Sequence, residues 1–167
     1  MYGLYRENKS GDQMDLPKRK SPRIQKYNYG LPNYYFITIC THEKKCMFGN
    51  PGELSLYGKI AEECLLSIPK LNPNIILDKY VVMPNHIHAI LIISQVSETK
   101  SIPVIIGQYK MAVTKKIRQM ESDRQVWQRS FHDHIIRNQA AYEKIWTYIE
   151  NNPLKWEEDC FYEADSK

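Results

Sequence analysis

The chain has 167 residues, of which 43% are apolar and 25% charged, and a formal net charge of +4. That length suits one domain with a real core and is hardly enough for two, and the composition is ordinary for a soluble globular protein. The longest uninterrupted apolar run, Ala89 to Ile93, is far too short to span a bilayer. Met1 to Arg6 lacks the apolar core of a secretion signal, so a cytoplasmic protein without a membrane partner is expected.

Charge is unevenly spread. Residues 1–30 carry seven Lys/Arg against three Asp/Glu, residues 31–104 six of each, residues 105–137 seven against three, and residues 138–167 three against seven. Two basic segments around a neutral centre fit a polyanion, and they equally fit basic residues that merely solvate a tail and a helix face. Cys40, Cys46, Cys64 and Cys160 form no CxxC pair, so reduced thiols are expected. Cys40, His42 and Cys46 lack the fourth ligand of a closed zinc site.

Residues 1–17 are polar and aperiodic, and a disordered arm is expected there. Lys18, Arg19, Lys20, Arg23 and Lys26 follow, interleaved with Tyr27 and Tyr29. That mixture suits a strand of nucleic acid, with charge for phosphates and rings for bases. Tyr34 to Thr41, rich in β-branched and aromatic residues, reads as the first strand. A loop with Gly49, Pro51 and Gly52 ends it.

Leu56 to Leu71 reads as a helix, with Ile60, Cys64, Leu65 and Ile68 on one face, stopped by Asn72-Pro73-Asn74. Ile75 to Met83 is the second strand, turned back at Pro84-Asn85 into a third that carries His86-Ile87-His88 and the apolar run behind it. A polar loop over 94–101 leads to a helix over 105–120, whose apolar stripe is Ile106, Tyr109, Val113, Ile117 and Met120. Lys110, Lys115, Lys116 and Arg118 stand mostly off that stripe, on a solvated face that could also meet phosphates. Residues 126–136 read as a loop and short strand, and Gln139 to Asn151 as the last helix, stopped by Pro153. Residues 157–167 form an acidic tail, outside a domain expected over 18–156.

The resulting order, βαββαβ and one more helix, is that of an α+β, ferredoxin-like fold: an antiparallel sheet with two helices on one face. The extra C-terminal helix is free to cross the other face.

Two constellations carry chemistry. Side chains alternate along a strand, so His86 and His88 point to one face and can jointly bind a metal ion; two partly buried core histidines would look the same. Tyr148 and Asn152 lie four apart, on one face of the last helix. The amide oxygen of Asn152 is a hard ligand suited to Mg²⁺ or Mn²⁺, and Tyr148 is a possible nucleophile beside such an ion. A packed tyrosine and a helix-stopping asparagine fit the spacing as well.

Further motifs accompany these two. They are Lys20-Ser21-Pro22-Arg23 with Tyr27-Asn28-Tyr29, Tyr35-Phe36-Ile37-Thr38-Ile39-Cys40-Thr41 and Val82-Met83-Pro84-Asn85-His86-Ile87-His88. Later come Val126-Trp127-Gln128-Arg129, His134-Ile135-Ile136-Arg137-Asn138 and Tyr148-Ile149-Glu150-Asn151-Asn152-Pro153. In this order, from Arg19 to Trp156, the chain resembles the HUH single-tyrosine transposases, and most closely the REP-associated tyrosine transposases. The resemblance implies that His86 and His88 are the family's metal pair, Tyr148 its catalytic tyrosine and Asn152 the residue completing the metal site, with Mg²⁺ or Mn²⁺ as cofactor. It also implies a site-shaping place for His134 and Arg137. Asn85 stands where some relatives have an acid.

The implied reaction is cleavage and rejoining of single-stranded or hairpin DNA, REP-like repeats among them, through a 5′-phosphotyrosine bond. Lys18, Arg19, Lys20, Arg23, Lys26, Lys110, Lys115 and Lys116 would hold the DNA. The resemblance further implies a nucleoid-associated bacterial protein, either a monomer or a homodimer. The alternative from another class is a catalytically inactive, sequence-specific DNA-binding protein of the same fold; a third is a metal-dependent hydrolase that uses water in place of Tyr148.

Overall fold

The computed structural model describes residues 27–95 and 100–162. The 1–17 arm and the basic cluster Lys18, Arg19, Lys20, Arg23 and Lys26 lie outside the described residues, as do 163–167. Six strands and four α-helices follow in chain order: β1 (Asn33–Cys40), β2 (Gly49–Asn50), β3 (Glu53–Leu54), α1 (Leu56–Leu66), α2 (Ile68–Leu71), β4 (Ile75–Val82), β5 (His86–Ile93), α3 (Ile102–Arg118), β6 (His132–Ile136) and α4 (Gln139–Asn151). The main sheet runs β4-β5-β1-β6 with every neighbouring pair antiparallel. This is the ferredoxin-like arrangement expected from the sequence.

β1 and β5 are the central strands, so both of their faces are covered. On one face Tyr35, Ile37, Ile39, Ile87, Leu91 and Ile93 join the core built with α1, α2 and α3. On the other, Ile90 and Ile136 pack against Ile149 of α4, flanked by Phe36, Tyr142 and Ile145. α4 is pinned to the edge strand β4 as well. The Tyr142 hydroxyl donates to Asp78 at 2.8 Å, and Lys79 pairs with Glu150 and lies 4.1 Å above the Trp146 ring.

Local chemistry explains where the element boundaries depart from the sequence reading. The helix expected over Leu56–Leu71 divides at Ser67, whose hydroxyl donates to the Cys64 carbonyl at 2.7 Å, a side-chain bond that competes with the helical ladder. α3 begins at Ile102 rather than 105, because Pro103 lies in its first turn, where a missing N–H costs nothing. Met120, placed on the stripe of that helix, falls beyond its end and is exposed. The loop after β1 contains the small β2–β3 hairpin. Its Gly49 has φ +103°, and a Cβ there would meet the Glu53 carbonyl oxygen at 2.4 Å, so only glycine fits.

α4 ends at Asn151, ahead of Pro153, as expected. Asn152–Glu158 continues as a 3-10 segment with the proline in its first turn, and the acidic tail then folds back over the sheet as far as Tyr162.

Ile87 is fully buried on the face opposite its histidine neighbours. Ile87→Ala is expected to lower stability by about 2–5 kcal/mol, read from urea denaturation, while leaving the α4 face of the sheet intact.

Candidate active site

The site lies on the α4 face of β5. The Pro84-Asn85 turn that launches this strand is held by Thr41, whose amide and hydroxyl both donate to the Asn85 carbonyl at 2.9 Å. From there His86 and His88 project side by side, with their Nε2 atoms 3.0 Å apart. Each ring is fixed from behind. The Asn85 amide donates through Nδ2 to the Phe161 carbonyl at 2.8 Å, which leaves its Oδ1 to accept from His86 Nδ1 at 2.8 Å. His88 Nδ1 lies 2.8 Å from the Thr38 hydroxyl, its partner across the β1–β5 ladder. A hydroxyl both donates and accepts, so Thr38 serves either tautomer of His88. With both Nδ1 atoms engaged, both Nε2 atoms are available as ligands.

α4 and its C-cap Asn152 put Tyr148 and Asn152 on one face, as the i, i+4 spacing predicts, and the packing of α4 on the sheet brings Tyr148 onto this pair. The Tyr148 hydroxyl lies 3.1 Å from His88 Nε2, and its ring is edge-on to Phe36, which stacks on His88. Asn152 is 3% exposed. Its Nδ2 donates to Asp159 Oδ2 at 2.6 Å, while its Oδ1 is buried without a hydrogen-bond partner among the described residues. A buried amide oxygen left open is costly unless something occupies it. Such an oxygen suits a hard divalent cation, and imidazole nitrogens ligate the same ions, so the residues present suit the metal that the resemblance implies.

The residue that sequence reasoning missed is Asp159. Its Oδ2 accepts from both Asn152 and the Tyr148 hydroxyl, the latter at 2.9 Å, and its Oδ1 accepts from the Phe161 amide at 2.7 Å. Among the described residues, the one group of acidic, histidine or cysteine side chains with ligand-like spacing is His86, His88 and Asp159, whose donor atoms all lie within 4.8 Å of one another. Cys40, His42 and Cys46 do not gather. The signal that could have flagged Asp159 was weak: one more acid in an acidic tail. Thr38 and the positioning role of Asn85 were equally hidden.

Burial dictates the electrostatics. His86 and His88 are 0% and 1% exposed, and desolvation pushes them down from 6.5 to about 4 and about 3, with His86 depressing His88 further and Asp159 opposing both shifts. Both are therefore neutral, as metal ligands must be. Tyr148 is pushed up by burial and by its hydrogen bond to Asp159, so it rests as a protonated phenol. Burial alone would raise the Asp159 carboxyl, but the Phe161 amide, Asn152 and Tyr148 together hold it below the ordinary carboxylate range.

Access runs past Tyr148, which is 38% exposed. A cleft of about 360 Å³ leads to it between Lys144, Thr147, Lys155 and Asp159. The histidines themselves are covered by Trp156 and Phe161, whose rings sit 5.9 and 4.7 Å from that of His86.

The other sequence candidates are not part of this cluster. His134 is exposed on β6, paired with Phe36, and no hydrogen bond joins it to the cluster among the described residues. Arg137 lies beyond the end of β6 beside a cleft of about 500 Å³ that also includes Tyr34, Asp78 and Tyr142. Lys110 has partners within the chain: its ammonium donates to the carbonyls of Gln128, Arg129 and Ser130, which ties α3 to the loop before β6. Lys116 pairs with Glu63 at 2.9 Å. Lys115 stays exposed along a groove of about 580 Å³ with Arg118 and Arg129.

A family model described as "Transposase IS200 like" matches residues 32–152. A Haemophilus influenzae protein, described only as uncharacterized, is 35% identical over 167 residues, which covers 86% of this chain and 93% of its own. Among solved structures, a REP-associated tyrosine transposase bound to a REP hairpin is similar at a TM-score of 0.58 and 18% identity, covering 80% of this chain and 73% of its own. A putative transposase from Deinococcus radiodurans is similar at 0.51 and 18%, covering 77% and 95%. At such identities these two structures speak for the fold alone.

The buried histidines predict a pH dependence. Their folded-state values lie below 6.5, so between about pH 6.5 and 4 the unfolded chain binds protons that the native chain does not. Stability is then full above 6.5 and falls as pH drops, the same direction that a depressed Asp159 gives at still lower pH. Thermal melts in chelator, from neutral pH to about pH 4, should show a falling midpoint. A His86→Gln, His88→Gln double variant should show a shallower fall over the same range.

Proposed function

The chain belongs to the IS200-like transposase family, and from this we propose that it cleaves and rejoins single-stranded or hairpin DNA with Tyr148 as nucleophile. The observation that carries the reading is the Tyr148 hydroxyl, 3.1 Å from His88 Nε2 at the end of a solvent-open cleft. A nucleophile must reach its target and touch the groups that assist it, and Tyr148, the most exposed member of the cluster, does both. Cys40, the nearest thiol on the central strands, is buried and pushed up to about 11 by desolvation, which makes it inert.

In this reading the Tyr148 oxygen attacks the scissile phosphorus as its proton leaves towards Asp159, to which the phenol already donates. The P–O3′ bond breaks, a 5′-phosphotyrosine ester forms, and the departing 3′-oxygen takes up a proton. Attack by a 3′-hydroxyl on that ester reverses the step and restores the tyrosine, so the bond energy is kept and no nucleotide cofactor is required. His86, His88 and Asn152 would hold a divalent cation, Mg²⁺ or Mn²⁺, which when bound polarises the phosphate and offsets charge developing on its oxygens. Thr38 and Asn85 keep the imidazoles turned towards it. Lys144 and Lys155 flank the cleft, where they suit the DNA phosphates on either side of the cut. Lys115, Arg118 and Arg129 offer a second basic track, while Lys110 supports the loop beneath it. The solved REP-associated relative is bound to a REP hairpin, which makes hairpins from the DNA flanking the gene the first substrates to try.

The test is covalent trapping of labelled hairpin and single-stranded DNA. Wild type is expected to give a denaturant-resistant protein–DNA band with Mg²⁺ or Mn²⁺, and none with chelator. Tyr148→Phe should give no band at all, and His88→Ala should slow its appearance by about 10²–10³-fold, the usual cost of losing a transition-state stabiliser. Binding without a band in any metal would instead favour a DNA-binding protein that has lost its chemistry, and cleavage without a band would favour water as the nucleophile.

A further inference from the structure

We propose that Asp159, from the tail beyond the family-matched region, is the anionic ligand of the cation site and stands beside His86 and His88. The inference rests on the metal-assisted reading above and extends it to a residue outside the matched stretch 32–152.

The observations behind it are independent of the DNA chemistry. One carboxylate oxygen of Asp159 and one ring nitrogen each of His86 and His88 lie within 4.8 Å of one another, a spacing that one ion can bridge with small adjustments. The carboxylate is buried, yet among the described residues no lysine or arginine pairs with it. Its contacts are neutral donors: the Phe161 amide, the Asn152 amide and the Tyr148 hydroxyl. Among the described residues the hydrogen-bond partners of this carboxylate are neutral, and Lys144 and Lys155 line its cleft without pairing with it, so a divalent cation held with the two imidazoles would supply the positive charge it lacks. These neutral donors also fix the rotation of the carboxylate, as outer contacts of a metal ligand do.

The charge balance points the same way. With two neutral imidazoles, one carboxylate and the Asn152 amide, a divalent cation keeps one net positive charge, which matches the single negative charge of a DNA phosphodiester. A hard carboxylate also shifts a histidine site towards Mg²⁺ and Mn²⁺. Because the Asp159 carboxylate also accepts from Tyr148, the nucleophile is tied directly to a metal ligand.

The experiment is Mn²⁺ binding to the full chain, followed by the loss of the free-ion electron paramagnetic resonance signal, without DNA. Asp159→Asn should weaken Mn²⁺ by about tenfold or more, and so should His88→Ala. A ligand is separated from a positioning residue by Asp159→Cys in a Cys160→Ser background. A thiolate in the metal site should bind Cd²⁺ with a sulfur-to-metal charge-transfer absorption that Cys160→Ser alone lacks. Mn²⁺ affinity within twofold of wild type in Asp159→Asn, with His88→Ala still impaired, would overturn the proposal and leave the metal-assisted reading standing. So would weakened Mn²⁺ binding with no Cd²⁺ band in the cysteine variant, since Asp159 would then act only through Tyr148 and Asn152. A wild-type chain that binds no Mn²⁺ would overturn this proposal and metal assistance together, whereas failure of covalent trapping with normal Mn²⁺ binding would touch only the DNA chemistry.

Discussion

Alternation along β5 is the constraint on which the molecule depends. A central strand between β4 and β1 must satisfy two covered faces at once, and its period of two assigns Ile87, Leu91 and Ile93 to one and His86, His88 and Ile90 to the other. A slip of one residue would bury the imidazoles in the large core and turn Ile87 into the site. The register with β1, in which Thr38 faces His88, and the anchored Pro84-Asn85 turn both guard against that slip. The geometry of the histidine pair and core packing are thus one requirement, met by the same hydrogen-bond ladder.

The second face is closed in two stages. α4 packs through Ile145 and Ile149 and is pinned to β4, which brings Tyr148 over His88 and leaves Asn152 at the helix end, bonded to Asp159. The chain then turns through the 3-10 segment, and Asp159 and Phe161 close the remaining side. Phe161 contributes its amide to Asp159, its carbonyl to Asn85 and its ring to His86. The tail is therefore wired to both halves of the site, the histidine pair through Asn85 and the tyrosine through Asp159. Desolvation follows directly: it keeps the imidazoles neutral and ready to ligate, and it keeps the phenol protonated until a cation or a base changes the balance.

Basic residues divide by the same logic of partners. Lys110 and Lys116, read from sequence as one solvated face, take different places: Lys110 is spent on three carbonyls, and Lys116 on Glu63. Lys115, Arg118 and Arg129 remain along an open groove.

Much of this protein was legible in its residues. Strand and helix periodicity set the βαββαβα order, and with it the ferredoxin-like sheet. The two local motifs, His86-Ile87-His88 and Tyr148 to Asn152, each placed their side chains on a common face, because period two and period 3.6 are properties of the backbone itself. That both motifs would meet was not local information: it depended on strand order and on which sheet face α4 covers. The positions of Thr38, Asn85 and Asp159 were beyond reach for the same reason. Thr38 acquires its meaning from register across β1 and β5, fifty residues apart, and Asn85 from a bond to Phe161 seventy-six residues away. Asp159 reads as one acid among several in a polar tail until the chain folds back over the sheet. Sequence alone determined the elements and the faces that carry the chemistry; tertiary structure decided which distant side chains share one buried, low-dielectric space, because only packing brings them within bonding distance.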